Sequence, residues 1–273
     1  MKYSFHLLFV ILFLSCEVVQ VEDLLFSDEN TPITTINTTD ATYNSSSVSF
    51  SWIGNEFANS FSYRLEPLSY IDTVKTYISW SEWDTVNMVT LTNLDDGSYN
   101  FYIKSRYTIE NVEIPHSVNF IVNAIGKVNG IGGTALRVYP LFQQVSLGES
   151  FNVYIYIEDV VDLGGMELHL SYPSSNESVS LSPGSILSNA PIFFDTINIA
   201  NGTIELIAAT IIPTAEDSVG YTGTGILAKI NLTSSISGRV DTLYIQDSSI
   251  LKNSGNIEID ILEKVYGLIE VVE

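Results

Sequence analysis

The stretch Leu147–Tyr172 (LGESFNVYIYIEDVVDLGGMELHLSY) constrains the fold most, because apolar and polar residues alternate along it in two runs. Apolar residues occupy the odd positions from Phe151 to Ile157 and the even positions from Met166 to Leu170. A period of two is the signature of a strand with one buried face. We predict two strands joined by a turn over Asp159–Gly164, and a second sheet that covers their apolar side.

Length and composition favour an all-β chain with two β-sandwich domains. The 273 residues suffice for two modules, since such a module has about 100–150 residues. The net charge of −21 makes nucleic acid and anionic lipid surfaces poor partners. The single cysteine excludes an intrachain disulfide bond, so burial of apolar side chains must hold the fold together.

The N-terminus has the pattern of a secretory signal peptide over residues 1–16, with Lys2 before a short apolar run. The end of this run, FLSC, resembles the lipobox of bacterial lipoproteins, which implies lipidation of Cys16. An ordinary signal peptide with a chance cysteine is the alternative. We expect a secreted protein anchored by lipid to the outer membrane or cell surface, with residues 17–45 as a flexible tether.

Residues 46–124 form the first predicted module, with about seven short strands separated by turn signals, as in an immunoglobulin-like sandwich. It resembles fibronectin-type-III-like modules in three segments, YRL, WSEW and DDGSYNFYIKSR, which begin at Tyr63, Trp80 and Asp95. The resemblance implies that Tyr99 is the tyrosine corner. Trp80 and Trp83 could offer a platform for sugars, but packing within a strand pair is favoured.

Residues 125–134 (IGKVNGIGGT) are rich in glycine and are predicted to form a linker that acts as a hinge. They lack the lysine and hydroxyl pattern of a phosphate-binding loop.

Residues 135–273 form the second predicted module, in which further alternating segments follow the opening stretch. These segments are VSLSPGSIL, GTIELIAA and GTGILAKINL, and a strand-forming C-terminus completes them. Their content and order resemble those of cohesin domains and, more distantly, of related carbohydrate-binding modules. The resemblance implies a jelly-roll β-sandwich that binds a calcium-loaded dockerin module and so gathers polysaccharide-degrading enzymes. Any calcium is expected mainly in the partner.

The same resemblance implies a binding face built from outward polar side chains. In the family such residues lie on the strand that matches Gly165–Ser171, which gives Gly165, Glu167 and His169 as partner-binding candidates. Lys229 and Asn231 are further outward candidates on a later strand. Ordinary solvated surface is the alternative for all of these residues.

Other site chemistry has weaker support in the sequence. Tyr154 and Tyr156 could stack on sugar rings if their sheet face is open, although cross-strand pairing explains them as well. Asp159 and Asp162 are weak candidates for calcium, and their spacing is not that of an EF-hand. The three histidines lack the spacing of a transition-metal site, and no serine-hydrolase elbow is present.

The cohesin and lipobox resemblances together imply a non-catalytic surface protein that binds a dockerin-type partner in polysaccharide catabolism. Direct carbohydrate binding by the second module is the first alternative. A structural or adhesive display protein is the second.

Overall fold

The computed structural model describes residues 31–68, 79–128, 131–172, 176–210 and 219–273. These ranges contain strands and turns but no helix, which confirms the all-β prediction. No helix in them is therefore long and apolar enough to cross a membrane. The predicted signal peptide with Cys16, and residues 17–30 of the predicted tether, lie outside the described residues.

In the described parts of the N-terminal sandwich there are seven strands. They are β1 (Thr34–Ile36), β2 (Ala41–Tyr43), β3 (Val48–Gly54), β4 (Ser60–Pro67), β5 (Met88–Leu91), β6 (Gly97–Arg106) and β7 (His116–Val122). One sheet has the order β1-β3-β5 and the other β2-β7-β6-β4. The alternating apolar residues of β3 and β6 meet in the core, where the rings of Phe50 and Phe101 stack with centroids 4.1 Å apart.

Tyr99 forms the tyrosine corner that the fibronectin-type-III resemblance implied. Its hydroxyl donates a hydrogen bond of 2.7 Å to the backbone carbonyl of Asp95, four residues upstream. Such a bond is typical of this corner in immunoglobulin-like sandwiches. Burial raises the pKa of the Tyr99 hydroxyl, so the group remains a donor at physiological pH.

The described part of the predicted tether does not behave as a tether. Within residues 31–45, β1 pairs with β3 and β2 pairs with β7. The buried Glu113 carboxylate also accepts a hydrogen bond of 2.8 Å from the Thr34 backbone N–H. The sandwich therefore begins near residue 31, because its outer strands are fixed by partners far away in sequence.

The C-terminal sandwich follows a short hairpin of β8 (Lys127–Val128) and β9 (Ile131–Gly132). Its strands are β10 (Ala135–Tyr139), β11 (Phe142–Ser146), β12 (Ser150–Ser171), β13 (Asn176–Pro183), β14 (Ile192–Asn198), β15 (Thr203–Ala209), β16 (Tyr221–Ser234), β17 (Arg239–Ile245), β18 (Ile250–Asn253), β19 (Glu258–Ile259), β20 (Glu263–Val265) and β21 (Gly267–Val272).

The long strand β12 belongs to both layers of this sandwich. Its N-terminal part pairs with β10 and β16, and β13 and β20 extend that sheet. Its C-terminal part pairs with β15 and β18 and, over two residues, with β17. The second sheet is extended by β14, which pairs with β15, and by β21 and β11, which follow β17. The apolar sides of both sheets meet in one core, in which Ile155, Leu168 and Ile230 are fully buried.

The predicted turn over Asp159–Gly164 is instead a pair of irregularities within β12. The β12–β16 register shifts between Ile157 and Val160 and again between Val160 and Leu163. Asp159 and Asp162 have positive φ angles of 48° and 60°, a conformation that aspartate tolerates better than most residues. Bulges of this kind bend a strand, and here they carry β12 from one sheet to the other.

The two sandwiches meet through an ion pair across their junction. Nη1 of Arg137 in β10 lies 3.2 Å from Oδ1 of Asp95, which comes from the turn before β6. The backbone N–H of Leu141 donates to the same carboxylate at 3.1 Å. Nε of Arg137 donates to Glu158 in β12 at 2.7 Å, so one buried guanidinium holds a carboxylate from each sandwich.

The predicted linker at 125–134 is therefore not a free hinge. Ile125 is buried, and the backbone N–H of Gly126 donates to the Glu263 carboxylate at 3.0 Å. Asp96 accepts hydrogen bonds from the backbone N–H groups of Ala124 and Ile125. Gly126 has a positive φ of 71°, which glycine adopts without strain. The carboxylates of Asp96 and Glu263 fasten the chain before β8 to both sandwiches.

Candidate functional site

The C-terminal part of β12 displays a row of outward side chains on the second sheet. Leu168 and Leu170 are fully buried, so Glu167 and His169, which alternate with them along the strand, point away from the core. The Glu167 side chain is 45% exposed and the His169 side chain is 26% exposed. Nε2 of His169 lies 2.9 Å from Oε1 of Glu167. The two polar groups therefore form one accessible pair rather than two independent surface residues.

Neighbouring strands add apolar side chains to this row. Phe194 of β14 is paired across the ladder with Ile207 of β15, and Ile207 is paired with Glu167. Phe194 is 68% exposed and Ile207 is 41% exposed. We call this surface, formed by the outward side chains of β14, β15, β18 and the C-terminal part of β12, the Glu167 face.

Neither Phe194 nor Ile207 was among the predicted site residues. The apolar run from Thr203 to Ile212 has the composition of a strand buried on both sides, yet β15 exposes Ile207 to solvent. A local signal did exist in β14, where Phe193 and Phe194 are adjacent. In a strand, adjacent side chains point to opposite faces, so both rings cannot enter the same core.

Two glycines shape the end of the Glu167 face. A Cβ at Gly164 would lie 2.6 Å from the backbone carbonyl oxygen of Asn253, so glycine allows β18 to approach β12 closely. A Cβ at Gly165 would meet only the Ala208 carbonyl oxygen, at 3.5 Å. Gly165 instead leaves open a groove of about 580 Å³, which Glu167, Ile207 and Lys252 help to line.

Lys229 and Asn231 do not join the other partner-binding candidates. Both belong to β16, in the first sheet, and point outward beside Tyr154 and Asn152 of β12. Nδ2 of Asn231 donates to Oδ1 of Asn152 at 3.0 Å, and Nζ of Lys229 lies 5.8 Å from the Tyr154 ring centroid. Since both sheets bury their other sides in one core, these residues lie on the opposite surface of the sandwich from Glu167.

The sugar-stacking role considered for Tyr154 and Tyr156 is contradicted by their surroundings. Tyr154 is only 3% exposed. The guanidinium of Arg137 lies over the Tyr156 ring at 4.6 Å, and burial raises the pKa of this hydroxyl. A pyranose ring therefore finds no open aromatic platform here, because the junction between the sandwiches already occupies this area.

Asp162, one of the two weak calcium candidates, is held by donors of the protein itself. Its carboxylate accepts hydrogen bonds from the Gly220 backbone N–H at 2.8 Å and from Oγ of Ser254 at 2.6 Å. These bonds lower the pKa of Asp162. The Asp159 backbone N–H donates to Oγ1 of Thr224 at 3.0 Å. The hydrogen bonds of these two residues thus stabilise the bends of β12. In the described ranges, no group of three acidic, histidine or cysteine side chains is arranged to hold a metal ion.

Comparisons with known proteins give structural similarity only. No protein-family model and no curated protein matches the sequence. Among solved structures, a non-cellulosomal cohesin from the archaeon Archaeoglobus fulgidus is 18% identical, with 52% of this chain and 93% of that chain covered and a TM-score of 0.43.

Two further cohesins are similar over the same share of the chain. The OlpA cohesin in a cohesin–dockerin complex from Clostridium thermocellum is 13% identical, with 52% of this chain and 100% of that chain covered and a TM-score of 0.44. The third ScaC cohesin from Acetivibrio cellulolyticus, in complex with the ScaB dockerin, is 20% identical, with 51% and 99% covered and a TM-score of 0.44. Such identities and scores do not identify a function.

Proposed function

We propose that this chain is a non-catalytic binding protein whose C-terminal sandwich takes a partner protein on the Glu167 face. The observation that carries the proposal is the exposed pair Phe194 and Ile207 directly beside the polar pair Glu167 and His169. A large aromatic side chain that is mostly exposed on a sheet is a favourable anchor for a partner, and polar neighbours supply direction.

The partner that we propose is a dockerin-type module. The ordered sequence segments that resemble cohesins support this choice, and so does the position of three implied contact residues, Gly165, Glu167 and His169, on one open face. Two carboxylates, Glu167 and Glu205, occupy outward positions of this face, since Glu205 is paired with His169. Together with the net charge of −21, they favour a partner with basic side chains at the contact. Any calcium would belong to that partner.

The test is a pull-down of the source organism's secreted proteins with the full-length chain as bait, first with calcium and then with chelator. We expect calcium-dependent capture of proteins that share a duplicated segment rich in Asp and Asn. The variant Gly165→Arg places a long side chain in the groove without straining the backbone. We expect it to bind the partner at least tenfold more weakly, a loss of about 1.4 kcal/mol in binding free energy.

Ser180→Arg is the matched control, because Ser180 is exposed in β13 on the opposite sheet, paired with Asn231. It adds the same charge and volume away from the Glu167 face. Equal losses in the two variants would contradict the assignment of the face. Failure to capture any protein with the duplicated segment would refute the dockerin-type partner and leave a display role.

A link to polysaccharide breakdown and a lipid anchor at Cys16 complete the proposal. Both come from the sequence, through the cohesin resemblance and the lipobox-like FLSC segment. Cys16→Ser is expected to move the protein from the membrane fraction to the medium. An unchanged distribution would show that a lipid on this cysteine does not hold the protein.

A further inference from the structure

Six side chains form a continuous stack on the outer face of the N-terminal sandwich, where aromatic rings alternate with cations. The guanidinium of Arg64 lies 4.7 Å from the Tyr102 ring centroid and 5.2 Å from that of Trp80. Nζ of Lys104 lies 4.1 Å from the Trp80 centroid and 5.2 Å from that of Trp83, and Arg106 follows at 4.4 Å from Trp83. We call this stack the aromatic–cation ladder; its order is Tyr102, Arg64, Trp80, Lys104, Trp83 and Arg106.

Strand geometry explains why the ladder forms. Tyr102, Lys104 and Arg106 occupy alternate outward positions of β6, and Arg64 is the cross-strand neighbour of Tyr102 in β4. The two tryptophans come from a segment that runs along the free edge of β4. The Ser81 backbone N–H in this segment donates to the Tyr63 carbonyl at 2.8 Å.

The ladder concentrates positive charge on a strongly acidic protein. It holds three of the 11 lysine and arginine residues, against 32 acidic residues in the chain. Arg64 has one carboxylate nearby, Glu66 at 3.8 Å. Among the described residues, neither Lys104 nor Arg106 has a carboxylate within ion-pair distance. At physiological ionic strength the Debye length is about 8 Å, so a ligand at the ladder responds to the charges around it rather than to the net charge. These local charges are the three cations together with Glu66 and with Glu82 and Asp84, which flank Trp83.

The stacking also limits what the ladder can bind. Cations flank both tryptophan rings, so these faces are not available to stack on a nucleobase, as a single-stranded nucleic-acid site requires. A guanidinium whose face rests on a ring still has in-plane N–H groups that can bind carboxylate or sulfate. Alternate residues of a strand lie about 7 Å apart, so Lys104 and Arg106 are spaced along β6, while Arg64 lies beside Tyr102 on the neighbouring strand β4.

We propose that the aromatic–cation ladder binds a linear anionic polysaccharide, one that carries carboxylate or sulfate groups along its length. The cations bind the acidic groups, and the indole edges contact the sugar rings between them. This site lies in the N-terminal sandwich and is separate from the Glu167 face, so it gives the chain a second binding activity that does not depend on the partner protein.

The experiment measures binding of the full-length protein to polygalacturonate and dextran sulfate, with neutral dextran and single-stranded DNA as comparison ligands. We expect binding to both acidic polysaccharides that weakens as salt is added, and none to neutral dextran. Lys104→Met keeps an unbranched side chain beside Trp80 but removes the charge. We expect it to weaken binding roughly two- to fivefold, the range of one partly exposed ion pair.

Lys229→Met is the charge-matched control, because Lys229 points outward from β16 in the other sandwich, on the surface opposite the Glu167 face. It should leave binding unchanged. The ladder also fastens residues 80–84 to β4, so amide hydrogen exchange of this segment must be compared in the wild type and Lys104→Met. Weaker binding with unchanged exchange supports a ligand site.

Three results would overturn the proposal. The first is absence of binding to either acidic polysaccharide at low salt. The second is an equal effect of Lys104→Met and Lys229→Met, which would mean diffuse attraction to charge. The third is equal binding of single-stranded DNA, which would remove the assignment to a saccharide.

Discussion

Asp95→Asn is expected to change how the stability of this protein depends on pH. Burial raises the pKa of Asp95 from 3.8 to about 7, against the opposing effects of the Arg137 charge and the Leu141 N–H. A carboxyl group with a raised folded-state pKa stabilises the folded protein below its unfolded pKa. That stability is lost as the pH rises through the folded pKa.

The magnitude follows from the size of the shift. About three pKa units correspond to roughly 4 kcal/mol in total, of which about 2.5 kcal/mol falls between pH 5 and pH 8. Asparagine keeps an oxygen that can accept the Leu141 N–H but cannot ionise. We therefore expect the free energy of unfolding of the wild type, minus that of Asp95→Asn, to fall by about 2.5 kcal/mol over this range.

Urea unfolding at pH 5, 6, 7 and 8 measures this difference, with tryptophan fluorescence as the signal because Trp52 is buried. This range stays above the pI of 4.2, where solubility would be lowest. The contributions of the other acidic groups to the pH dependence cancel when the free energy of unfolding of the variant is subtracted from that of the wild type. Asp195→Asn, at an exposed position of β14, is the control for a change of one charge.

A difference that stays constant, or that grows as the pH rises, would refute the reasoning. It would mean that the ion pair with Arg137 and the hydrogen bonds from the Leu141 N–H outweigh the cost of removing the Asp95 carboxylate from water. The junction would then be strengthened, not weakened, by ionisation of Asp95.

Two further substitutions test close contacts in the two sandwiches. Tyr99→Phe removes the donor to the buried Asp95 carbonyl and should cost about 1–2 kcal/mol in urea unfolding; no loss would contradict the role of the corner. Gly164→Ala places a Cβ 2.6 Å from the Asn253 carbonyl oxygen and should cost about 1–3 kcal/mol, whereas Gly165→Ala should be nearly neutral. Equal melting temperatures of the two alanine variants would refute the close approach of β18 to β12.

Alternation of side chains predicted much of the fold because burial on one side of a sheet acts on every second residue. It identified the core residues of β12 and those of β3 and β6 in the first sandwich. The tyrosine corner at Tyr99 was also predictable, since it needs only a local hydrogen bond to Asp95. These features depend on residues that are close in sequence or on a period that sequence shows directly.

The strands within residues 31–45 were not predictable in the same way. β1 and β2 have three residues each and lie in a stretch rich in threonine and asparagine. They are held by long-range contacts, as when the Glu113 carboxylate accepts a hydrogen bond from the Thr34 N–H, 79 residues away. The same composition in a chain without these partners would suit a tether.

The site was only partly predictable, because a period of two gives the outward side of a strand without telling which sheet the strand joins. Glu167 and Lys229 are both outward, yet they lie on different sheets because β12 changes sheet at its bends. The outward side chains beside β16 are therefore on the opposite surface of the sandwich from the outward side chains beside β15. The continuity of β12 through Asp159 and Asp162 requires a partner long enough to follow it, and β16 supplies that partner from 60 residues away. Phe193 and Phe194 show the converse, because two adjacent rings in one strand force one of them outward whichever sheet β14 joins. An adjacent aromatic pair in a predicted strand is therefore a better guide to an exposed anchor than an outward polar residue, which solvent alone can explain.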